Sequence, residues 1–246
     1  MFSIFRVYNL TSLDILITGP QRVHIFARHN MTIKKLTKKQ IETLFERLST
    51  ALPEPETELQ YTNDYTLVVA VALSAQATDV GVNKATRDLF KIADTPEKMV
   101  ALGEKKLIDH IKTIGLYRNK AKNVIALSQM ILDDFEGQVP ETRETLEKLP
   151  GVGRKTANVV MNVAFGHPTI AVDTHIFRVS NRTGLAPGKN VLEVELALEK
   201  RVPKDYLLHA HHWLILHGRY ICKARKPACV RCEVADVCNF DEKVVS

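Results

Sequence analysis

The chain uses cysteine four times in 246 residues, and all four fall in one stretch near its C-terminal end, as Cys222-x6-Cys229-x2-Cys232-x5-Cys238. Loops this short bring four thiolates to one centre without a long-range folding event, so this segment has to wrap a common point. A structural zinc site usually draws on two Cys-x2-Cys knuckles. Here one tight pair, Cys229 and Cys232, is flanked by arms of six and five residues. That suits a larger, cube-shaped iron–sulfur centre, although ferredoxin spacings differ again. Two disulfides would suit a small secreted domain, whereas a chain that is 45% hydrophobic over this length has core enough without them. From spacing alone, iron–sulfur, zinc and disulfides all stay open.

The formal net charge is +6, which favours a polyanionic partner such as nucleic acid. Where the charge lies matters more than its sum. Lys223, Arg225, Lys226 and Arg231 crowd the cysteine segment, and a metal-stapled basic loop is a phosphate clamp; a solvated loop is the plain alternative. No apolar run approaches the roughly 18 residues of a membrane span, so a cytoplasmic protein without a membrane partner is expected. Residues 1–30 read differently from the rest. Phe2, Ile4, Phe5, Val7 and Leu10 run into a Gly19-Pro20 break without a sustained period, accompanied by three arginines and one acidic residue. An organellar targeting peptide, a disordered arm and a start upstream of a true one at Met31 all fit. The last is the expectation, which leaves residues 1–35 as an extension outside the fold.

The folded part opens with Leu36-Thr37-Lys38-Lys39-Gln40-Ile41, where Thr37 and Gln40 form a capping box and Leu36 can staple against Ile41. Ile41, Leu44, Phe45 and Leu48 follow at helical spacing. Leu67 to Leu73 is apolar on every side, and its length and alanines favour a central helix over a buried strand. Ala121, Val124, Ile125, Ile131 and Leu132 share a helical face, as do Val191, Val194 and Leu198, while Gly115, Pro140, Pro150, Pro187 and Pro203 punctuate. No alternating run stands out, so the fold class is all-α.

Between a helix expected over Glu144–Leu149 and the next one, the chain reads Leu149-Pro-Gly-Val-Gly-Arg-Lys-Thr-Ala-Asn158. Gly151 and Gly153 permit positive φ and close backbone approach. The free amides of the following helix's first turn then make an anion site, as a phosphodiester requires. An ordinary interhelical turn is the bland reading.

That string, together with Leu73-Ser-Ala-Gln-Ala-Thr-Asp79, Val172-Asp-Thr-His-Ile-Phe-Arg178 and the cysteine pattern, resembles the endonuclease III family of DNA glycosylases, from about residue 36 to the C-terminus. The resemblance implies a helix-hairpin-helix glycosylase fold, a [4Fe-4S] cluster on Cys222, Cys229, Cys232 and Cys238, and excision of oxidised pyrimidines from duplex DNA. It further implies a six-helix domain over residues 57–167 and a cluster domain joining 36–56 with 168–246, in a monomer bound to the bacterial nucleoid. The cluster, with every position filled by cysteine, is expected to be structural or redox-tuning, because it offers substrate no open position.

The resemblance makes Lys155 the nucleophile and Asp173 its partner. Releasing a base leaves an oxocarbenium-like C1′, which a nearby carboxylate stabilises and an uncharged amine can capture as a Schiff base, acidifying the 2′ proton for elimination. Lysine is a poor nucleophile at its ordinary pKa of about 10.4, so such a site needs a helix N-terminus, neighbouring cations or partial burial around it. Without the resemblance, Lys155 reads as a phosphate contact and Asp173 as a helix cap. By the same resemblance Gln76 plugs the gap left by a flipped nucleotide and Leu116 wedges the opposite strand. Gly151, Gly153, Arg154, Lys223, Arg225 and Lys226 are expected on DNA. His209, His211, His212 and His217 lie near Trp213 but make no His-Glu-x-x-His pattern, and no second metal is assigned. Two rivals remain: an adenine-type monofunctional glycosylase, which lacks the hairpin lysine, and a non-catalytic iron–sulfur DNA-binding module, which has no use for pairing Lys155 with Asp173.

Overall fold

A computed structural model describes residues 34–243. The expected N-terminal extension therefore lies, save for residues 34 and 35, outside the described residues. Among those described, all regular structure is helical: α1 (Lys38–Ala51), α2 (Asp64–Leu73), α3 (Asp79–Thr86), α4 (Leu89–Ile92), α5 (Pro96–Ile111), α6 (Tyr117–Phe135), α7 (Arg143–Leu146), α8 (Arg154–Phe165), α9 (Thr174–Thr183), α10 (Val191–Arg201) and α11 (Leu207–Tyr220). The all-α reading holds, and none of these helices is long and apolar enough to cross a membrane.

Local signals set most of the boundaries. Thr37 and Gln40 close α1 reciprocally, with Thr37 N–H donating to Gln40 Oε1 at 2.9 Å and Gln40 N–H to Thr37 Oγ1 at 3.3 Å. Asn63 and Thr66 do the same for α2, and Thr95 caps α5 ahead of Pro96. The α2 helix is buried from Tyr65 through Leu73, as a helix apolar all round must be. The hydroxyl of Tyr65 meets Ser128 Oγ at 2.6 Å and that of Thr66 donates to Asn63 O at 2.9 Å, which satisfies the two side-chain polar groups that this burial would otherwise strand.

Two hydrophobic cores result. The first is centred on α2 and gathers side chains from Leu59 to Ala171; the second joins Leu36–Leu48 of the α1 region to Ile170–Val234. Helix α5 packs along α6, α8 against α2, and α9 against α11. Two sequence expectations shift. Val191 is 52% exposed although Val194 and Leu198 are buried, because it sits at the first position of α10, a turn before that face reaches the core. The helix expected over Glu144–Leu149 stops at Leu146 and tightens into i→i+3 bonds, Lys148 N to Thr145 O and Leu149 N to Leu146 O. Pro150 disfavours α geometry at the residue before it.

Candidate active site and iron–sulfur centre

The hairpin is anchored by Leu149 and Val152, both buried, and closed by Val152 N–H to Leu149 O at 3.0 Å. Gly151 has φ +80°, and a Cβ there would come within 2.9 Å of the Asn123 side chain on α6, so both backbone and packing demand glycine. Gly153 is different. Its φ is −100°, extended backbone open to any residue, and a Cβ would meet nothing within 4 Å. What Gly153 contributes is the lack of a side chain: α8 begins with no side-chain cap on its first-turn amides, which leaves them open to an anion.

Arg154 turns back to Glu195, with Nε–Oε1 at 2.9 Å and Nη2–Oε1 at 2.7 Å, and that carboxylate is nearly buried. Lys155 instead stands exposed at the start of α8. The partial burial expected around it is absent: Thr156 and Ala157 of the same turn face the core, and Lys155 lies on the outward side.

Asp173 caps α9 and uses both of its carboxylate oxygens. Its Oδ1 accepts the backbone N–H groups of His175 at 2.9 Å and Ile176 at 2.8 Å, while Oδ2 lies 2.8 Å from Nδ1 of His175. Burial pushes the carboxyl up. The Ile176 amide, His175 and the charge of Lys155 outweigh that and hold it below the usual aspartate range. Asp173 and Lys155 therefore meet electrostatically across the starts of α8 and α9. His211 of α11 joins them: it is 3% exposed, its Nδ1 has no partner, and both Lys155 and Asp173 act on its ring.

Burial pushes His211 down to about 3, with help from His212, and burial takes His212 down to about 4. Both rings are neutral in the fold and protonate in the unfolded chain. Stability is therefore complete above about pH 6.5 and is lost as pH falls towards 4. We expect urea unfolding at pH 5 to show about 4 kcal/mol less stability from this pair than at pH 7. Replacing both by glutamine should remove most of that pH slope.

Gln76 and Leu116 are two of the four non-glycine residues with left-handed backbone among those described, at φ 54° and 59°. Both are exposed, Leu116 to 58%. They are neighbours, since a Cβ on Gly115 would lie 3.8 Å from Gln76 O. Strain at two adjacent exposed tips persists only where the surrounding structure enforces it, and it marks functional loops more often than packing. Leu116 is thus not a core residue.

Sequence reasoning missed two arrangements. One is the His175–Asp173 pair, whose only signal is a histidine two residues after a capping aspartate. The other is Arg219, which reaches Asp79 Oδ2 at 2.6 Å and also bonds Glu58, itself bonded by the Tyr220 hydroxyl. Its partners lie some 140 and 160 positions away, and no local pattern announces them.

The four cysteines are free of disulfides and line one cavity with Thr183, His217, Ile221, Pro227, Val234, Ala235, Phe240 and Lys243. No three His, Cys, Asp or Glu side chains among the described residues gather closely enough for a single ion. A tetrahedral zinc, with Zn–S near 2.3 Å, would need its sulfurs within about 4 Å of one another. Four thiols spread around a shared cavity fit a cluster better. Burial pushes Cys232 up to about 11 and raises Cys238, so the thiolates have to be made by the metal. Donors already face the sulfurs: Arg182 Nη1 at 3.8 Å from Cys222 Sγ, and Phe240 N–H at 3.4 Å from Cys238 Sγ. Arg178 and Arg182 of α9 also bind the carbonyls of Cys222, Gly218, Lys223 and Ala224. One helix thus begins at Asp173 and ends by holding the cysteine loop. On that loop Lys223, Arg225 and Lys226 are exposed.

An all-helical fold with an uncapped Gly-x-Gly hairpin, a lysine and an aspartate at adjoining helix starts, and a four-cysteine cavity defines a helix-hairpin-helix base-excision glycosylase. Residues 69–204 match the HhH-GPD superfamily of base excision DNA repair proteins, and residues 222–238 match the iron–sulfur binding domain of endonuclease III. Endonuclease III of Haemophilus influenzae and that of Escherichia coli K12 are each 57% identical over 206 residues, covering 84% of this chain and 97% of theirs. A solved structure of a trapped endonuclease III–DNA covalent intermediate superimposes with TM-score 0.78 at 48% identity, over 82% of this chain and 96% of that one. A non-covalent endonuclease III–DNA complex gives 0.78 at 47%. The chain belongs to the endonuclease III family. It is a DNA glycosylase and abasic-site lyase, and its cofactor is a [4Fe-4S] cluster.

Proposed function

We propose that this protein removes oxidised pyrimidines from duplex DNA as a monomer in the bacterial cytoplasm, on the nucleoid, with Lys155 as nucleophile and Asp173 as electrostatic and acid–base partner. The observation that carries this reading is geometric: Lys155 stands exposed on the first turn of α8, directly after a hairpin that leaves that turn without a side-chain cap, and Asp173 caps the start of α9, near enough that the charge of Lys155 acts on its carboxyl. As the base leaves C1′ with the bonding electron pair, the carboxylate of Asp173 stabilises the positive charge that develops there. The Lys155 amine, in its neutral form, attacks C1′ and gives up one proton; the nitrogen lone pair then expels O4′, which takes up a proton as the C1′–O4′ bond breaks, and the opened sugar is held as a protonated Schiff base. That cation acidifies the 2′ proton; its removal drives the C3′–O bond to break, and the 3′ phosphate departs.

Around this centre the uncapped amides of α8 take a phosphate, with Gly151 and Gly153 permitting its approach and Arg154 bracing the turn through Glu195. Gln76 and Leu116 fill the stack vacated by the flipped nucleotide, and the exposed Lys223, Arg225 and Lys226 clamp the backbone. Two separate cores support the division into a six-helix domain, residues 57–167, and a cluster domain of 36–56 with 168–246. The four cysteines hold the cluster, which orders the basic loop.

Borohydride trapping on a panel of duplexes tests the reading. Covalent adducts are expected with thymine glycol and with an abasic site and not with undamaged DNA. Release of adenine from a mismatch without an adduct would replace it by the adenine-type monofunctional reading.

A further inference from the structure

Asp173 has no free oxygen in this structure. Oδ1 takes two backbone N–H groups and Oδ2 takes the imidazole of His175 at 2.8 Å. A cap needs only the first; the second fixes the carboxylate's rotation about its own axis and the direction in which Oδ2 presents its remaining lone pair. His175 is itself held from behind. Gly218 of α11 lies so close that a Cβ there would come within 2.8 Å of His175 Cβ and 3.3 Å of its carbonyl carbon, so α11 has room for His175 only because residue 218 is glycine. Its side chain is 35% exposed, against 17% for Asp173, which places the imidazole on the outer side of the carboxylate. A carboxylate only accepts, so the Nδ1 that faces it carries a proton.

We propose that His175 is a positioning residue: through its Nδ1–H it holds Asp173 Oδ2 in the orientation that serves the reacting sugar, and Gly218 holds His175. The inference rests on the reading of Asp173 given above. It predicts a specific pattern of rescue, because the side-chain nitrogen of asparagine falls where Nδ1 is, whereas that of glutamine falls where Nε2 is. His175→Ala and His175→Gln should slow single-turnover base release about ten- to hundredfold, the worth of one charge-assisted hydrogen bond. His175→Asn should recover to within about threefold. Affinity for an abasic-site duplex and the brown colour of the cluster should be unchanged in all three. The acid limb of the rate–pH profile should move to higher pH in the alanine and glutamine variants, since a partner that lowers the carboxyl is gone. The other charges acting there are Lys155 from α8 and His211 from α11, the latter within reach of Arg219, and they are common to every variant.

Asp173→Asn is measured alongside. Three histidine variants as active as the intact protein beside an inactive Asp173→Asn would overturn the role of His175 and leave that of Asp173 standing. Equal losses in all three, or losses in duplex affinity, would also overturn it, in favour of packing or a direct DNA contact. An active Asp173→Asn would remove the underlying reading of Asp173, and the inference with it.

Discussion

Lys155→Ala should give no borohydride-trapped adduct and should nick an abasic-site duplex at least about a thousandfold more slowly than the intact protein, the scale of losing a covalent nucleophile. The chain neighbours of Lys155 offer no replacement. Arg154, next in the chain, is permanently protonated and bound to Glu195; Thr156, on the other side, is buried. The amine also carries a charge that attracts phosphate, so the alanine variant alone conflates two losses. Lys155→Arg separates them, because it keeps the charge and removes the nucleophile. Its duplex affinity should stay near that of the intact protein while the adduct and the nicking vanish together. An arginine variant that still nicked would mean that the elimination runs without this amine.

What could be read from the sequence was whatever a short window determines. The capping box at Thr37, the all-apolar α2 and the glycine at Gly151 each follow from neighbours within a turn or two, and each stands as expected. The four cysteines were legible for the same reason, their convergence being a matter of short loops. The misreadings came from places where position in the fold overrides local pattern. Gly153 looked like a second left-handed residue and is an extended cap. Lys155 was expected to be partly buried and is exposed, because the exposure of a first helical turn depends on what packs over it. Val191 kept the spacing of a core face that had not yet begun. The links between Arg219 and Asp79, and between Gly218 and His175, join residues brought together only by folding. A single sequence does not display such contacts, among them the one that sets His175 beside Asp173.

Cys232→Ala should yield protein without the cluster's brown colour and with its cysteine loop unfolded, a far larger change than the loss of one half-buried thiol. From Cys222 to Cys238 the only regular structure is the 3-10 turn Cys229–Arg231, and the only side chain classed as buried is that of Val234. Burying one valine is worth about 2 kcal/mol, while each ordered residue costs roughly 1 to 2 kcal/mol of backbone entropy. The arginines of α9 secure the start of the loop, through the carbonyls of Cys222, Lys223 and Ala224, and farther on Arg47 of α1 reaches the carbonyl of Glu233 and the carboxylate of Asp236, while Lys243 reaches the carbonyls of Ala235 and Cys238. Contacts between exposed or half-buried groups are worth about 1 kcal/mol each, too little to order the loop without the sulfur–iron bonds, whose formation is coupled to folding. Limited trypsinolysis reads this directly, because Lys223, Arg225 and Arg231 stand exposed within the loop. The cluster-loaded protein should resist cleavage after them, and the variant should be cut there before any other site. Duplex binding should weaken in step, since Lys223, Arg225 and Lys226 would no longer be held together against a phosphate backbone. A colourless variant as resistant as the intact protein would show instead that the loop is ordered by its protein contacts, leaving the cluster some role other than scaffolding.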